Sequence, residues 1–249
     1  MNKIAIHSDR DLLKLGLLLA LVGLLSVSWF FGSVAAVPQG ANISVLATDN
    51  GTLRSADSHT AQGGSFTTLL LNVTSQTSKW KAYVGNVTGV ITLDNINNQT
   101  IYNWQITSVQ GEVYVSRSSS VDFISMACAN DVNITYEQGL LNINASSDDS
   151  INNTFYRKIH KSFVIGGTGL VSNSSCYAIA TFVNDTSQAP SEAATFQEVL
   201  MSDGGGLVYS TILENKRSGF DNSSYDFQAI VPDDPTAVAT TYYFYAELG

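Results

Sequence analysis

The chain has 249 residues, a mass of 26.7 kDa and a formal net charge of −9, from 12 Lys and Arg against 21 Asp and Glu. An acidic chain without a run of Lys or Arg lacks the basic footprint that holds a phosphate backbone, which sets nucleic-acid partners aside. Only 13% of residues are charged while Ser and Thr together number 51 and Asn 19, so the surface must be built from neutral polar groups.

Lys3, Arg10 and Lys14 precede an uncharged apolar run over 15–31, continued by Gly32, Ser33, Val34, Ala35 and Ala36 before Pro38. As a helix, residues 15–36 rise about 33 Å, enough to cross a bilayer. The run is longer than the apolar part of most export signals, which favours a retained anchor. Val34, Ala35 and Ala36 instead fit a signal-peptidase site, and Pro38 stops the helix beyond it. The segment 1–36 is therefore read as a signal peptide cleaved near Ala36 or as an anchor holding the protein to the membrane through 15–36. A pilin-type leader is a third option. The basic flank places residues 1–14 on the cytoplasmic side and the chain from Val37 onward outside. The exported part, 37–249, carries a net charge of −10.

Beyond the leader, short runs of Val, Ile, Thr, Tyr and Phe recur between clusters of Gly, Asn, Asp and Ser. Strands are expected at 42–47, 66–74, 79–84, 87–94, 100–108, 111–116, 121–126, 132–136, 140–145, 162–166, 176–183, 195–201, 206–213, 225–231 and 239–248. Residues 95–99 form a polar turn between two of them, an antiparallel hairpin that puts Tyr102, Trp104 and Ile106 on one face. These aromatics, with Trp80, are expected in the core, the sharper alternative being a sugar-stacking platform. Residues 48–64, 184–194 and 215–224 are expected as exposed loops, and one short helix near 153–161. The last run, 239–248, is too regular for a tail and should pair inside a sheet. The predicted fold is all-β, with β-sandwich-like antiparallel sheets behind an N-terminal signal or transmembrane helix.

Eleven Asn-x-Ser/Thr sequons lie beyond the leader, at Asn42, Asn50, Asn72, Asn86, Asn98, Asn133, Asn144, Asn152, Asn173, Asn184 and Asn222. Composition alone would give about four, so they are read as N-glycan acceptors. Their phase agrees, because a glycan must leave the solvent face of a strand. Asn86 alternates with Val87, Ile91 and Leu93, Asn133 with Val132, Ile134 and Tyr136, Asn144 with Leu141, Ile143 and Ala145, and Asn42 with Ile43, Val45 and Ala47. Asn and Thr as the plain polar half of half-buried strands is the competing explanation.

Cys128 and Cys176 are the two cysteines, and in an oxidising compartment they are expected to pair, the alternative being two buried thiols. Reactive constellations are sparse. His59 and His160 lie beyond the leader without metal-ligand spacing, and no nucleophile elbow or phosphate loop occurs, so no cofactor or metal is expected. Asp148-Asp149 and Asp233-Asp234 are read as solvated turns before calcium ligands. His160, within the basic cluster 156–161, is expected on a solvated face or beside a carboxylate. A glycan-processing hydrolase would need two opposed carboxylates among Asp122, Asp131, Glu137, Glu198 and Glu214.

The block from Trp80 to Leu93, with Tyr83, Gly85, Asn86, Thr88 and Ile91, followed by Tyr102-Asn103-Trp104 and Gly111-Glu112-Val113-Tyr114, resembles a recurrent block in a family of archaeal secreted and cell-surface proteins. The C-terminal stretches resemble the same family: Phe196 to Leu200, Gly219-Phe220-Asp221 with Tyr225-Asp226-Phe227, and Thr240 to Tyr245. The resemblance implies an archaeal exported β-protein with paired cysteines, from a family without an assigned reaction. The expected function is a non-enzymatic cell-surface glycoprotein with a structural or adhesive role, whose partners are surface-layer proteins, further copies or glycans. A subunit of an extracellular filament is the alternative, with 15–31 as an assembly helix or the segment near 37–48 donated as a strand to a neighbour.

Overall fold

The computed structural model describes residues 37–248, apart from positions 53, 107, 168, 237 and 238. The leader 1–36 and its competing readings lie outside the described residues, and among these no helix is long and apolar enough to cross a membrane.

The strands are β1 (Gln39–Gly40), β2 (Trp80–Gly85), β3 (Val90–Asp94), β4 (Thr100–Gln105), β5 (Gly111–Ser116) and β6 (Ala127–Cys128). Two helices follow, α1 (Asp131–Leu140) and α2 (Ile151–Thr154). After them come β7 (Phe163–Ile165), β8 (Gly169–Val171), β9 (Ala178–Ala180), β10 (Gln197–Ser202) and β11 (Leu207–Ile212). The chain closes with β12 (Arg217–Ser218), β13 (Ser224–Tyr225), β14 (Phe227–Pro232) and β15 (Tyr243–Leu248). All pairings are antiparallel, as the short polar turns require.

The main sheet runs β1-β15-β5-β11-β10, and β6 and β9 both pair with the outer side of β10. Its central strands are buried on both faces, so successive side chains feed two different cores. Val113, Val115, Leu200, Leu207 and Tyr209 point to one face and meet Ala229 and Val231 of β14, Ile134 of α1, and Ile151 and Phe155 at α2. Tyr114, Val199, Met201, Val208 and Ile212 point to the other and meet Phe163 and Ile165 of β7, Val171 of β8 and Cys176. The pair β2–β14 lies over the first face and makes the second layer of a sandwich, with the Ile230 N–H donating to Glu198 Oε2 across the layers at 3.0 Å. The all-β fold expected from periodicity is therefore present, and the C-terminal run pairs inside the sheet, between β1 and β5.

Several expected elements differ. Residues 132–136 are helical. Asn130 caps α1 by accepting from the Val132 and Asn133 N–H groups, and the Asn133 side chain accepts from the Asn130 N–H in return. The buried spacing Ile134, Glu137, Gln138 and Leu141 then fits a helix face, while Val132 and Tyr136, expected inward, are 76% and 60% exposed. Residues 140–145 finish that helix and turn, Asn142 taking φ 53°; Leu141 and Ile143 are buried as expected but Ala145 is exposed. Residues 121–126 form no strand, because the Asp122 carboxylate accepts from the Ile124 N–H and the Ser125 hydroxyl and bends the chain. The expected helix near 153–161 is the short α2, further toward the N-terminus. The loop 215–224 holds the β12–β13 pair. Residues 42–47 and 66–74 make no strand at all and are exposed, so the inward placement of Ile43, Val45 and Ala47 beside Asn42 does not hold.

The hairpin β3–β4 forms as expected, its turn held by Asn95, whose Oδ1 accepts from the Asn97 and Gln99 N–H groups. Its side chains stay outside the core. Ile91 pairs with Trp104 and Leu93 with Tyr102 on one face, and all four are exposed, contrary to the core placement read from the sequence. Only the base is seated: at Gly89 an added Cβ would fall 2.4 Å from Leu248 Cδ1.

Candidate functional site

Each of the five carboxylates considered for hydrolysis is tied to a different partner. Arg117 grips Glu137 through two nitrogens at 2.6 and 2.9 Å; Lys161 bonds Glu214 at 2.6 Å; Tyr177 donates to Asp131 at 3.0 Å. Glu198 is fully buried under β14, and Asp122 closes its own turn. The structure brings together a different pair. Glu112 of β5 and Glu247 of β15 are directly opposed across the ladder, and both are buried. Glu247 accepts from the Gly166 and Gly167 N–H groups at 2.9 and 2.8 Å and from the Tyr114 hydroxyl at 3.0 Å. Those three donors fix the Glu247 side chain in place. Burial and then the Glu247 charge push Glu112 up to about 8, against the pull of Lys161. Each Glu sits inside an apolar strand run, and only the register of two distant strands reveals that they meet.

The acidic doublets act as loop ties. Asp149 accepts from Lys79 at 2.5 Å and Thr77 at 2.6 Å, Asp233 faces Lys81 at 3.3 Å, and Asp234 accepts from Asn142 at 2.8 Å. No cluster of three or more potential metal ligands occurs among the described residues.

Cys128 and Cys176 form a disulfide, with Cα atoms 5.0 Å apart, which ties β6 at the sheet edge to the segment before β9. His160 braces it. The ring is fully buried, not on a solvated face: Nε2 accepts from the Ser175 and Cys176 N–H groups at 3.1 and 3.0 Å, which leaves Nδ1 to donate to the Lys161 carbonyl at 2.8 Å. The bridge closes a span of 48 positions, for which loop entropy gives about 4 kcal/mol. Replacing both cysteines by Ser should lower the melting temperature by roughly 8–16 °C, as read by thermal circular dichroism. An unchanged melting point would show that the bridge adds nothing.

Beside the disulfide lies an apolar groove of about 420 Å³. Its lining takes Phe123, Ile124 and Met126 from the segment before β6, Ile165 and Leu170 from β7 and β8, Met201 from β10, and Val37. The segments 42–47 and 66–74, patterned as strands, stand away from the body. Between 42 and 76 the hydrogen bonds of the described residues run only among themselves, such as Gln76 to the Thr52 carbonyl at 3.4 Å. Phe66 and Leu70 are 95% and 96% exposed.

Of the sequon asparagines, Asn42, Asn50, Asn72, Asn86, Asn98, Asn144, Asn173, Asn184 and Asn222 are exposed, and Asn133 and Asn152 are half-buried. Asn98, Asn184 and Asn222 have positive φ, placing them at turn tips. The Asn152 Oδ1 is buried, and its amide donates to Asn153 at 3.2 Å. Comparison with family models, with curated proteins and with solved structures finds no match to this chain.

Proposed function

We propose that this chain is a non-enzymatic, exported cell-surface glycoprotein with a structural role, of the archaeal surface-protein kind that its sequence blocks resemble. The observation that carries this reading is the sequon set: eleven sites where composition gives about four, none of them on a buried residue. A surface with so few charges needs another source of hydration, and carbohydrate supplies it. Intact-mass analysis of the native protein should show a mature chain beginning near Val37, with excess mass removed by glycan release. An unshifted mass would overturn the glycoprotein reading. Within the set, glycopeptide mapping should find Asn152 the least modified, because its Oδ1 is buried and the amide that would carry the glycan is bonded to Asn153.

A second reading, the subunit of an extracellular filament, is favoured by the arm over 42–76. A soluble monomer rarely leaves contiguous apolar surface in water, and here strand-patterned segments are extended and unpaired. The arm suits addition of a strand to a neighbour. In this reading the glycans coat the assembled surface and the arm links its units.

A further inference from the structure

The filament reading names the segment near 37–48 as the strand given, but Gln39 and Gly40 of that segment already pair with β15 of their own chain, and the receiving surface is open. We infer that residues 66–73 of one copy enter the groove between β6 and β8 of a second copy. The donor is an uncharged, largely apolar run. As an extended strand, Leu69, Leu71 and Val73 share one face, while Phe66, Leu70 and the sequon at Asn72 share the other, so the first face is the one that enters the groove and a glycan would point away from the receiving body.

The groove has the complementary form. Its lining of Phe123, Ile124, Met126, Ile165, Leu170 and Met201 is apolar. Among the described residues, each of the two strands beside it pairs on one side only, β6 with β10 and β8 with β7. An inserted strand therefore meets apolar side chains below and unpaired strand edges beside it.

Charge and reach identify the occupant as a second copy. Exported bodies of net charge −10 repel, yet residues 58–78 contain no Asp, Glu, Lys or Arg, and no charged side chain lines the groove. The two neutral surfaces can meet where others cannot. The arm's C-terminal root is Thr77, bonded to Asp149 at 2.6 Å. That anchor is beside Trp80 and Phe155, on the first face of the main sheet, whereas the groove is built on the second. Four residues from Val73 to Thr77 span at most about 14 Å. Crossing two layers takes about 20 Å. A chain's own 66–73 segment cannot fill its own groove in this structure. Toward the other root, at Ala41, the residues before Phe66 can extend up to about 80 Å, several times the ~17 Å radius of gyration of a body this size. Donor and groove are different surfaces, so the contact is head-to-tail and propagates into rings or filaments.

The test uses full-length chains carrying Leu71→Cys or Ile124→Cys, both at exposed positions, with different tags. Mixed under mild oxidation, they should give a disulfide-linked heterodimer, and the double variant a ladder of multimers. A mixture of Leu71→Cys with Ser223→Cys, exposed but away from the groove, sets the background. Cross-linking no stronger than that background, or confined within single chains of the double variant, would overturn the inference. If the native protein still sediments as polymers in that case, the groove assignment falls and the filament reading stands. Cross-linking absent together with a native protein that is monomeric at all concentrations removes both.

Discussion

Removal of residues 240–249 is expected to abolish the protease-resistant fold. All six residues of β15 pair with β5, and β15 also carries β1 on its other edge. The loss is not confined to the ladder. Tyr242 is buried with its hydroxyl on the Pro232 carbonyl at 2.7 Å, Phe244 packs edge-on against Tyr83 at 4.9 Å, and Tyr245 bonds the Ser118 carbonyl at 3.0 Å. Glu247 holds the Gly166–Gly167 turn and the Tyr114 hydroxyl, which would all lose their acceptor. Each large apolar side chain withdrawn costs about 1.5–3 kcal/mol. Buried polar groups left without partners add about 1–3 kcal/mol apiece. Together these exceed what a domain with about 5–15 kcal/mol of stability can lose. Limited proteolysis and far-ultraviolet circular dichroism read the result, and a truncated chain as resistant as the full one would refute it.

Thermal stability should be greatest in mildly acid solution, near pH 4–5, and should fall as pH rises toward 8. Glu112 is raised from the ordinary 4.5 to about 8 by burial and by Glu247, and Glu198 is raised well above its ordinary value by complete burial, against the Ile230 N–H bond. A carboxyl with a raised folded-state pKa binds its proton more tightly in the folded chain than in the unfolded one. Its contribution is fully present below the unfolded value and is lost as pH climbs to the folded value. For Glu112 that window spans 4.5 to about 8, a loss on the order of 5 kcal/mol. Besides Glu247, the groups facing it are Tyr114 and Lys161, the latter already bonded to Glu214. At the acid end the sign reverses. Lys79, Ser147 and Thr77 hold Asp149 below its ordinary range, so its contribution is lost as pH falls below about 3.8. Melting temperatures from pH 3 to pH 8 test the profile. Glu112→Gln should flatten the alkaline limb and raise stability at pH 8, whereas a wild-type chain more stable at pH 8 than at pH 5 would sink the account.

The carboxyl pair illustrates how far a sequence can be read. Glu112 and Glu247 look like ordinary polar members of strands until the β5–β15 register sets them opposite each other. Glu198 and Glu214 stand out in the sequence as candidates, yet the fold sends one into the sandwich interior and the other to Lys161. The helix α1 was hidden for a related reason. Val132, Ile134 and Tyr136 alternate as a strand would, and the competing helical spacing wins only because Asn130 and Asn133 cap each other and Leu141 finds a core to enter. The basic neighbours of His160 suggest a solvated face or a carboxylate partner, but the fold turns the ring inward, where its Nε2 accepts from the two backbone N–H groups of the disulfide segment.

Local pattern alone determined the all-β class, the central strands β5, β10 and β11, the C-terminal strand, and a cysteine pair suited to bridging. In those elements every other side chain is apolar whatever the partner, and that preference is written within a few residues. Tertiary structure decided which patterned runs are buried. Residues 66–74 carry much the same alternation as 111–116, yet one is bare and the other fully enclosed. Period two specifies a face to be covered but not the surface that covers it. For β5 that surface is β11 and β15 of the same chain. Residues 66–73 have no such surface in their own chain, and the proposed cover is the groove of another copy.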